Sequence, residues 1–314
     1  MSSSARTGLL ILAAAAALLA PFVVYPILVM DVLCFALFAC AFNLLMGFSG
    51  LLSFGHAAFF AAGAYAGGYA MKAWVLTPEL GILFGGLCAS ALGYLIGSLG
   101  IRRQGIYFAM ITLALAQMIY FFLLQAPFTG GEDGLQSIPR GRLFGLVSLA
   151  NDYVLYYFVL GVCAAGLWFV YRTVHSPFGQ ILKSIRENPQ RSLSLGYEVD
   201  SFQLLAFVLS AGLSGVAGAA KALVFGFATL TDAHWQTSGE VVLMTLIGGA
   251  GAIFGPAVGA ALIVILQNEL ADKVGSKVTI LMGLTFIICV HSFRHGICGT
   301  LSRLKRVRKL WGTS

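Results

Sequence analysis

Long apolar runs separated by short polar joints dominate this chain. About 20 apolar residues cross a bilayer core. By that measure the pattern predicts spans near 8–24, 27–46, 55–71, 80–100, 104–126, 152–171, 201–222 and 278–293. The segment 240–268 is longer and less regular, with Gly248-Gly249-Ala250-Gly251 and Gly255-Pro256 inside it. The joints are short except 127–151, 172–200 and 223–239. The expected fold class is all-α: a polytopic integral membrane helical bundle of about 8–10 segments, one or two of them Gly-interrupted or re-entrant. Residues 1–314 read as a single domain.

One joint breaks the pattern. Ser176–Gly196 carries Lys183, Arg186, Glu187 and Arg191 between two oily segments. It reads as two short helices. Ser176 suits a cap before Pro177 at the first helical position, and Asn188-Pro189 repeats that arrangement. Phe178, Ile181, Leu182 and Ile185 fall at i, i+3, i+4 and i+7, one apolar stripe. Gly196 suits a left-handed helix end. An amphipathic elbow of this kind is expected to enter a groove on a soluble partner. Gly179 would then allow close approach, with Arg186 and Glu187 at the rim and Asn188 closing the stretch.

Composition leaves little room for another class. The chain is 59% hydrophobic and 10% charged, with mean hydropathy +0.90, too little charge to cover a soluble domain of 314 residues. A net charge of +7 raises nucleic acid as a partner. The basic residues sit in joints and the tail instead, so no nucleic acid is expected. Cysteines 34, 40, 88, 163, 289 and 298 have no metal-ligand spacing, and neither a disulfide framework nor a metal is expected. Arg6 followed by an Ala/Leu run mimics a secretion signal, but a second apolar run follows closely, and a retained first span is expected.

Lys and Arg set orientation. With a cytoplasmic N-terminus, Arg102, Arg103 and the elbow 172–200 lie inside, and Lys72, Arg140, Arg142 and Lys221 outside. The basic tail 294–314 joins the cytoplasmic side only if 240–268 enters from outside, breaks at its glycines and returns. That choice puts thirteen basic residues inside and six outside, against three and nine acidic ones. One long tilted helix with an outside tail is the alternative.

Residues 43–68 are a second Gly-rich stretch. Two interrupted segments, one in each half, point to a transport path at a repeat interface. Small residues spaced four apart, such as Gly63 and Gly67 or Gly251, Gly255 and Gly259, equally suit close helix packing. Asn43, Ser53, His56 and Gln117 are polar groups inside spans, which should face a bundle interior or cavity. With Gly55 and Gly251 they form the candidate pathway set; interhelical hydrogen bonding is the competing role. Catalysis finds no support, so no catalytic residue is expected: there is no HExxH, no paired intramembrane carboxylates and no Walker A sequence.

Several stretches together match one known family. They are Asn43–Gly47 with Leu52–Phe60, Gly105–Ala109 with Ile111–Leu113, Thr129-Gly130-Gly131 with Asp133-Gly134-Leu135, Gly179–Gly196 followed by Leu204–Phe207, and Gly248–Gly251 with Gly255-Pro256. The chain resembles the transmembrane permease subunits of ABC importers for branched-chain amino acids, the M-type subunits of Liv systems. It departs from the common pattern at Pro189–Ser192, where many relatives have a small-residue pair. The resemblance implies a multi-pass protein of the bacterial inner (plasma) membrane, in contact with membrane lipid. It implies a second, H-type permease subunit, two cytoplasmic ATPase subunits and a periplasmic or extracellular substrate-binding protein. ATP and Mg2+ would be bound by the ATPases, with no cofactor in this chain. The elbow becomes the coupling loop of an alternating-access machine. Urea, short amides and aromatic acids are other solutes taken by such importers. A self-sufficient secondary carrier or channel and an integral-membrane enzyme are the rival readings.

Overall fold

The computed structural model describes residues 17–22, 24–103, 105–145, 147–274, 283 and 296. The helices are α1 (Pro26–Asn43), α2 (His56–Ala73), α3 (Pro78–Gly100), α4 (Ile106–Gln125), α5 (Asp152–His175), α6 (Pro177–Glu187), α7 (Pro189–Ser194), α8 (Val199–Phe225), α9 (Trp235–Gly248) and α10 (Gly255–Val274). A π-helical turn, Leu44–Ser49, continues α1. Among the described residues, five helical stretches are long and apolar enough to cross a membrane: Pro26–Ser49, α3, α4, α5 and α8. The protein is a polytopic helical membrane protein. Most of the span near 8–24, the span near 278–293 and the basic tail lie outside the described residues.

Sequence chemistry accounts for the helix starts. Pro26, Pro78, Pro177 and Pro189 each occupy the first turn, where the missing N–H costs no intrahelical bond. The Ser176 side chain accepts from the Gly179 N–H and Asn188 from the Arg191 N–H, as the elbow's pattern predicts. Gly196 takes φ +88°, the left-handed end position.

The centre of the bundle is α2, α3 and α8, held together by small residues. A Cβ on Gly67 would lie 2.8 Å from the Gly81 carbonyl oxygen, and one on Gly85 2.6 Å from that of Gly63. Gly63 and Gly218 press against Gly215 and the Phe60 backbone. Backbones approach closely here because no side chain intervenes. Gly63 and Gly67 are thus packing residues. The same holds for Gly255 and Gly259, which seat α10 against Gly248 and Met244 of α9. That pairing is antiparallel: the chain breaks after Gly248 and doubles back, the geometry expected of 240–268.

Loop 127–151 is compact. It holds two 3-10 turns and a two-residue-strand hairpin, β1 (Arg142–Leu143) on β2 (Val147–Ser148). Leu135 and Ala228 exchange backbone hydrogen bonds of 2.9 Å, and the Ile138 N–H donates to the Gly226 carbonyl, so this loop clasps the one after α8. Both lie at the bundle end opposite the elbow.

Lys221, expected at the outer end of the span near 201–222, lies within α8, which runs to Phe225. Its Nζ sits 2.6 Å from Asp232 Oδ1, with the two side chains only 19% and 10% exposed. The ammonium also lies 4.9 Å from the Phe35 ring centre. Thr229 donates to the other Asp232 oxygen at 3.3 Å. The pair ties the 3-10 turn Leu230–Ala233 to the bundle. Removing one partner leaves a buried charge uncompensated. Lys221→Met should therefore cost about 3–5 kcal/mol, and Lys221→Met with Asp232→Leu should recover most of it. Thermal unfolding of the purified variants in detergent checks both values.

Candidate functional site: two chain breaks and the elbow

Besides the loops at the bundle end opposite the elbow, the described residues hold two breaks of irregular backbone, one in each half of the chain. The first runs from the π turn to His56. Gly50 takes φ +79° there, and 50–55 are non-helical. The second is 249–254, with Gly249 at φ 109° and Gly251 at φ 85°. Such conformations suit residues without a Cβ.

The two breaks meet. Asn43 is fully buried, and its amide serves the other break twice. Nδ2 donates to the Ala252 carbonyl at 2.8 Å, and Oδ1 accepts the Gly251 N–H at 3.0 Å. Ile253 packs with Leu44 and Phe48 of the π turn and with Val170 and Val174 of α5. Gly47 has no room for a side chain, because a Cβ would sit 2.7 Å from the Gly251 nitrogen.

Ser53, Gly55 and His56 lie further along the first break. The Ser53 hydroxyl accepts the Gly55 N–H at 3.2 Å. A Cβ on Gly55 would come within 2.6 Å of the Thr112 carbonyl oxygen, so enlarging it strains the seat of α4 as well as any path. Thr112 also accepts the Phe54 N–H at 3.2 Å. His56 is fully buried. Its Nε2 is 2.8 Å from Ser210 Oγ, and Phe42, Phe59 and Phe207 meet its ring edge-on. Ser238 of α9 accepts the Ala57 N–H at 2.9 Å, a further link between the halves. Gln117 stands apart on α4, its buried Nε2 without a hydrogen-bond partner among the described residues. An apolar pocket of about 440 Å³ between α2, α3 and α4 is lined by Tyr65, Tyr69, Phe84 and Phe122, and by none of these polar residues.

The elbow is arranged differently from the sequence reading. Its apolar stripe is turned onto its own bundle. Leu182 and Ile185 are fully buried, Ile181 is half-buried, and Phe178 stacks on Phe202 at 5.8 Å. Gly179 admits the end of α5 rather than a partner, since a Cβ would meet the Thr173 and Val174 carbonyls. Burying each large aliphatic side chain contributes about 1.5–3 kcal/mol, and the bundle end supplies an apolar seat at once. Arg186 is not a free rim charge: its Nη1 donates to the Gly47 carbonyl. Lys183 lies over the Phe48 ring at 5.8 Å. Glu187 and Asn188 face outward, with Asn188 capping α7. The exposed apolar residues are instead Leu193 at 57%, Leu195 at 65% and Tyr197. Leu193 also lines a cleft of about 400 Å³ with Pro189, Gln190, Glu198, Val199 and Asp200.

Sequence reasoning missed both the Arg186–Gly47 bond and the Lys221–Asp232 pair. An amphipathic helix hides the first, since its period cannot say which neighbour the stripe meets. The second had a signal, a lysine within helical reach of an apolar run.

A helical bundle with paired interrupted segments and a polar elbow is a membrane protein of the transport-permease class in its architecture. The chain belongs to the family described as branched-chain amino acid transport system / permease component, whose sequence model matches residues 24–290. It is similar to the high-affinity branched-chain amino acid transport system permease protein LivM of Escherichia coli (strain K12), 28% identical over 276 residues. The LivM protein of Salmonella typhimurium is similar to the same degree. Both alignments cover 79% of this chain and 64% of the relative, so the chain matches a little under two thirds of their length. A nucleoside ABC transporter permease protein, NupC of Lactococcus lactis subsp. cremoris, is 29% identical over 191 residues, 55% of this chain and 57% of its own length.

Asn43 gives this site its own test. Asn43→Leu leaves the Gly251 N–H and the Ala252 carbonyl without their buried partners, at about 1–3 kcal/mol for each group. Asn43→Asp keeps the acceptor for Gly251 but sets a buried carboxylate against the Ala252 carbonyl oxygen. Thermal unfolding should place both variants below wild type, with Asn43→Asp recovering at low pH, where a protonated carboxyl can donate to Ala252.

Proposed function

We propose that this chain is the membrane-spanning subunit of an ATP-driven importer of branched-chain amino acids in a bacterial inner membrane. Membership of the permease family over 24–290 carries the reading. The LivM relatives supply the substrate class, and the NupC relative makes nucleosides the second candidate. A second permease subunit, two ATPases and an external binding protein complete the machine. ATP and Mg2+ belong to the ATPases. ATP binding closes those subunits, the elbow transmits the motion, and the path past the two breaks changes its exposure. Asn43, Ser53, Gly55, His56, Gln117 and Gly251 remain the proposed lining.

The burial pattern moves the proposed ATPase contact from the α6 stripe to the outer face of the elbow. Leu193, Leu195 and Tyr197 are apolar groups on a polar segment outside the spans. A docked helix pair would bury them, and Gln190, Arg191 and Glu187 would tune partner choice at the rim.

Reconstitution tests the function. The chain is co-expressed with a candidate second permease, ATPase subunits and a binding protein, and the complex is placed in liposomes. Leucine uptake should require ATP and the binding protein. Uptake driven by a proton or sodium gradient without ATPases would overturn the reading in favour of a secondary carrier. ATP-dependent uptake of nucleosides but not leucine would overturn the substrate alone. Within that complex, Leu193→Asp with Leu195→Asp should release the ATPases and leave the bundle folded. Leu182→Asp should instead destabilise the bundle, because it places a charge at a fully buried position. Co-purification and thermal unfolding separate the two effects.

A further inference from the structure

We propose that Arg186 is a positioning residue that carries movement of the elbow to both chain breaks at once; this rests on the importer reading. The observation is a notch made for one side chain. Arg186 crosses Gly50, where a Cβ would lie 3.1 Å from its Cγ and 3.6 Å from its Cβ. Its Nη1 reaches the Gly47 carbonyl. The same nitrogen lies 3.3 Å from where a Cβ on Gly251 would stand. Two glycines, Gly50 and Gly251, one from each break, therefore leave space for the Arg186 side chain, and the Gly47 carbonyl receives its guanidinium.

Electrostatics explains why an arginine stands there. Gly47 lies in the last helical turn before the left-handed Gly50, where carbonyls have no intrahelical donor. That end of a helix also carries partial negative charge. A guanidinium satisfies both, and its planar fork holds direction better than an ammonium. Gly251 at the far side of the notch is held by Asn43, one turn before Gly47 on the first break. Arg186 and Asn43 thus form a chain: elbow to first break, first break to second. Leu182, one turn before Arg186 on the same face, and Ile185 fix α6 to the bundle, so a tilt of α6 must move the Arg186 tip or break its bond.

This assigns Arg186 a role distinct from docking. Its hydrogen bond is spent within the chain, whereas the outer face of the elbow carries the exposed apolar groups. The reconstituted complex tests it with Arg186→Gln and Arg186→Lys. Arg186→Gln should keep its ATPases and its basal ATP hydrolysis. Leucine taken up per ATP should fall about tenfold, the size of an ordinary coupling between sites. Arg186→Lys should recover part of it. Adding Asn43→Ser to Arg186→Gln should change the ratio by less than about twofold, because residues in one linkage are not additive. A ratio unchanged in Arg186→Gln, or ATPases lost from it, would overturn the proposal. Amide hydrogen exchange on the purified chain alone gives a readout that survives failure of the importer reading. Arg186→Gln should speed exchange in 44–52 and 248–254 together. Faster exchange in only one break, in neither, or across the whole chain would overturn the linkage.

Discussion

Irregular backbone inside an apolar bundle must find hydrogen-bond partners within the protein, and this constraint organises the whole molecule. A helix satisfies its own peptide groups; the stretches around 50–55 and 249–254 do not. The chain answers with a small set of side chains. Asn43 supplies a donor and an acceptor to the second break, while Thr112, Ser53 and Ser238 supply acceptors to the first. Arg186 supplies a donor at the elbow end of the bundle. Apart from Ser53, which lies within the first break, these partners come from α1, α4, α6 and α9, so the two breaks depend on the helices packed around them.

Close approach makes those bonds possible. Polar side chains as short as Ser and Asn bridge elements only if the backbones lie near each other. Glycines at 63, 67, 85, 215 and 218 bring α2, α3 and α8 together, and those at 248, 255 and 259 fold α9 onto α10. The wide use of glycine also lowers intrinsic helix propensity, by roughly 1 kcal/mol per residue against alanine. Packing across the bundle offsets that loss. The result is helices that depend on their neighbours, in keeping with α2 being almost entirely buried and short of the length and hydropathy of the five clear spans.

Much of this was legible in the sequence, and the limits are physical. Apolar length placed α1 through α5 and α8 to within a few residues, and Pro and Asn at the elbow placed α6 and α7. Glycine pairs marked both breaks, since few other residues sit at positive φ. What the sequence could not resolve was the partner of each surface. The stripe Phe178, Ile181, Leu182 and Ile185 has the same period whether it meets a foreign groove or its own bundle. It meets its own bundle. Lys221 fell inside the span near 201–222, as it does in α8, but no helical period pairs it with Asp232 in the turn beyond. Asn43 and Gly251 emerged as separate candidates, 208 positions apart. Only the fold brings them into one hydrogen bond.

The inward stripe changes how force can pass through the elbow. A helix held only by a partner would move with that partner and leave the bundle behind. Here α6 is fastened to the bundle by buried Leu182 and Ile185, while α7 and the residues after it present Leu193, Leu195 and Tyr197 outward. The side-chain contact between Ser184 and Ser192, 3.1 Å apart, ties the two helices into one body. A load on the outer face therefore arrives at α6 without loss in a flexible joint. At α6 the apolar side chains resist sliding because they are close-packed. The hydrogen bond at Gly47 has a direction and responds to rotation. In the proposed importer the elbow would act as a lever, with its load on one face, its fulcrum in the buried stripe and its output at the two glycine breaks.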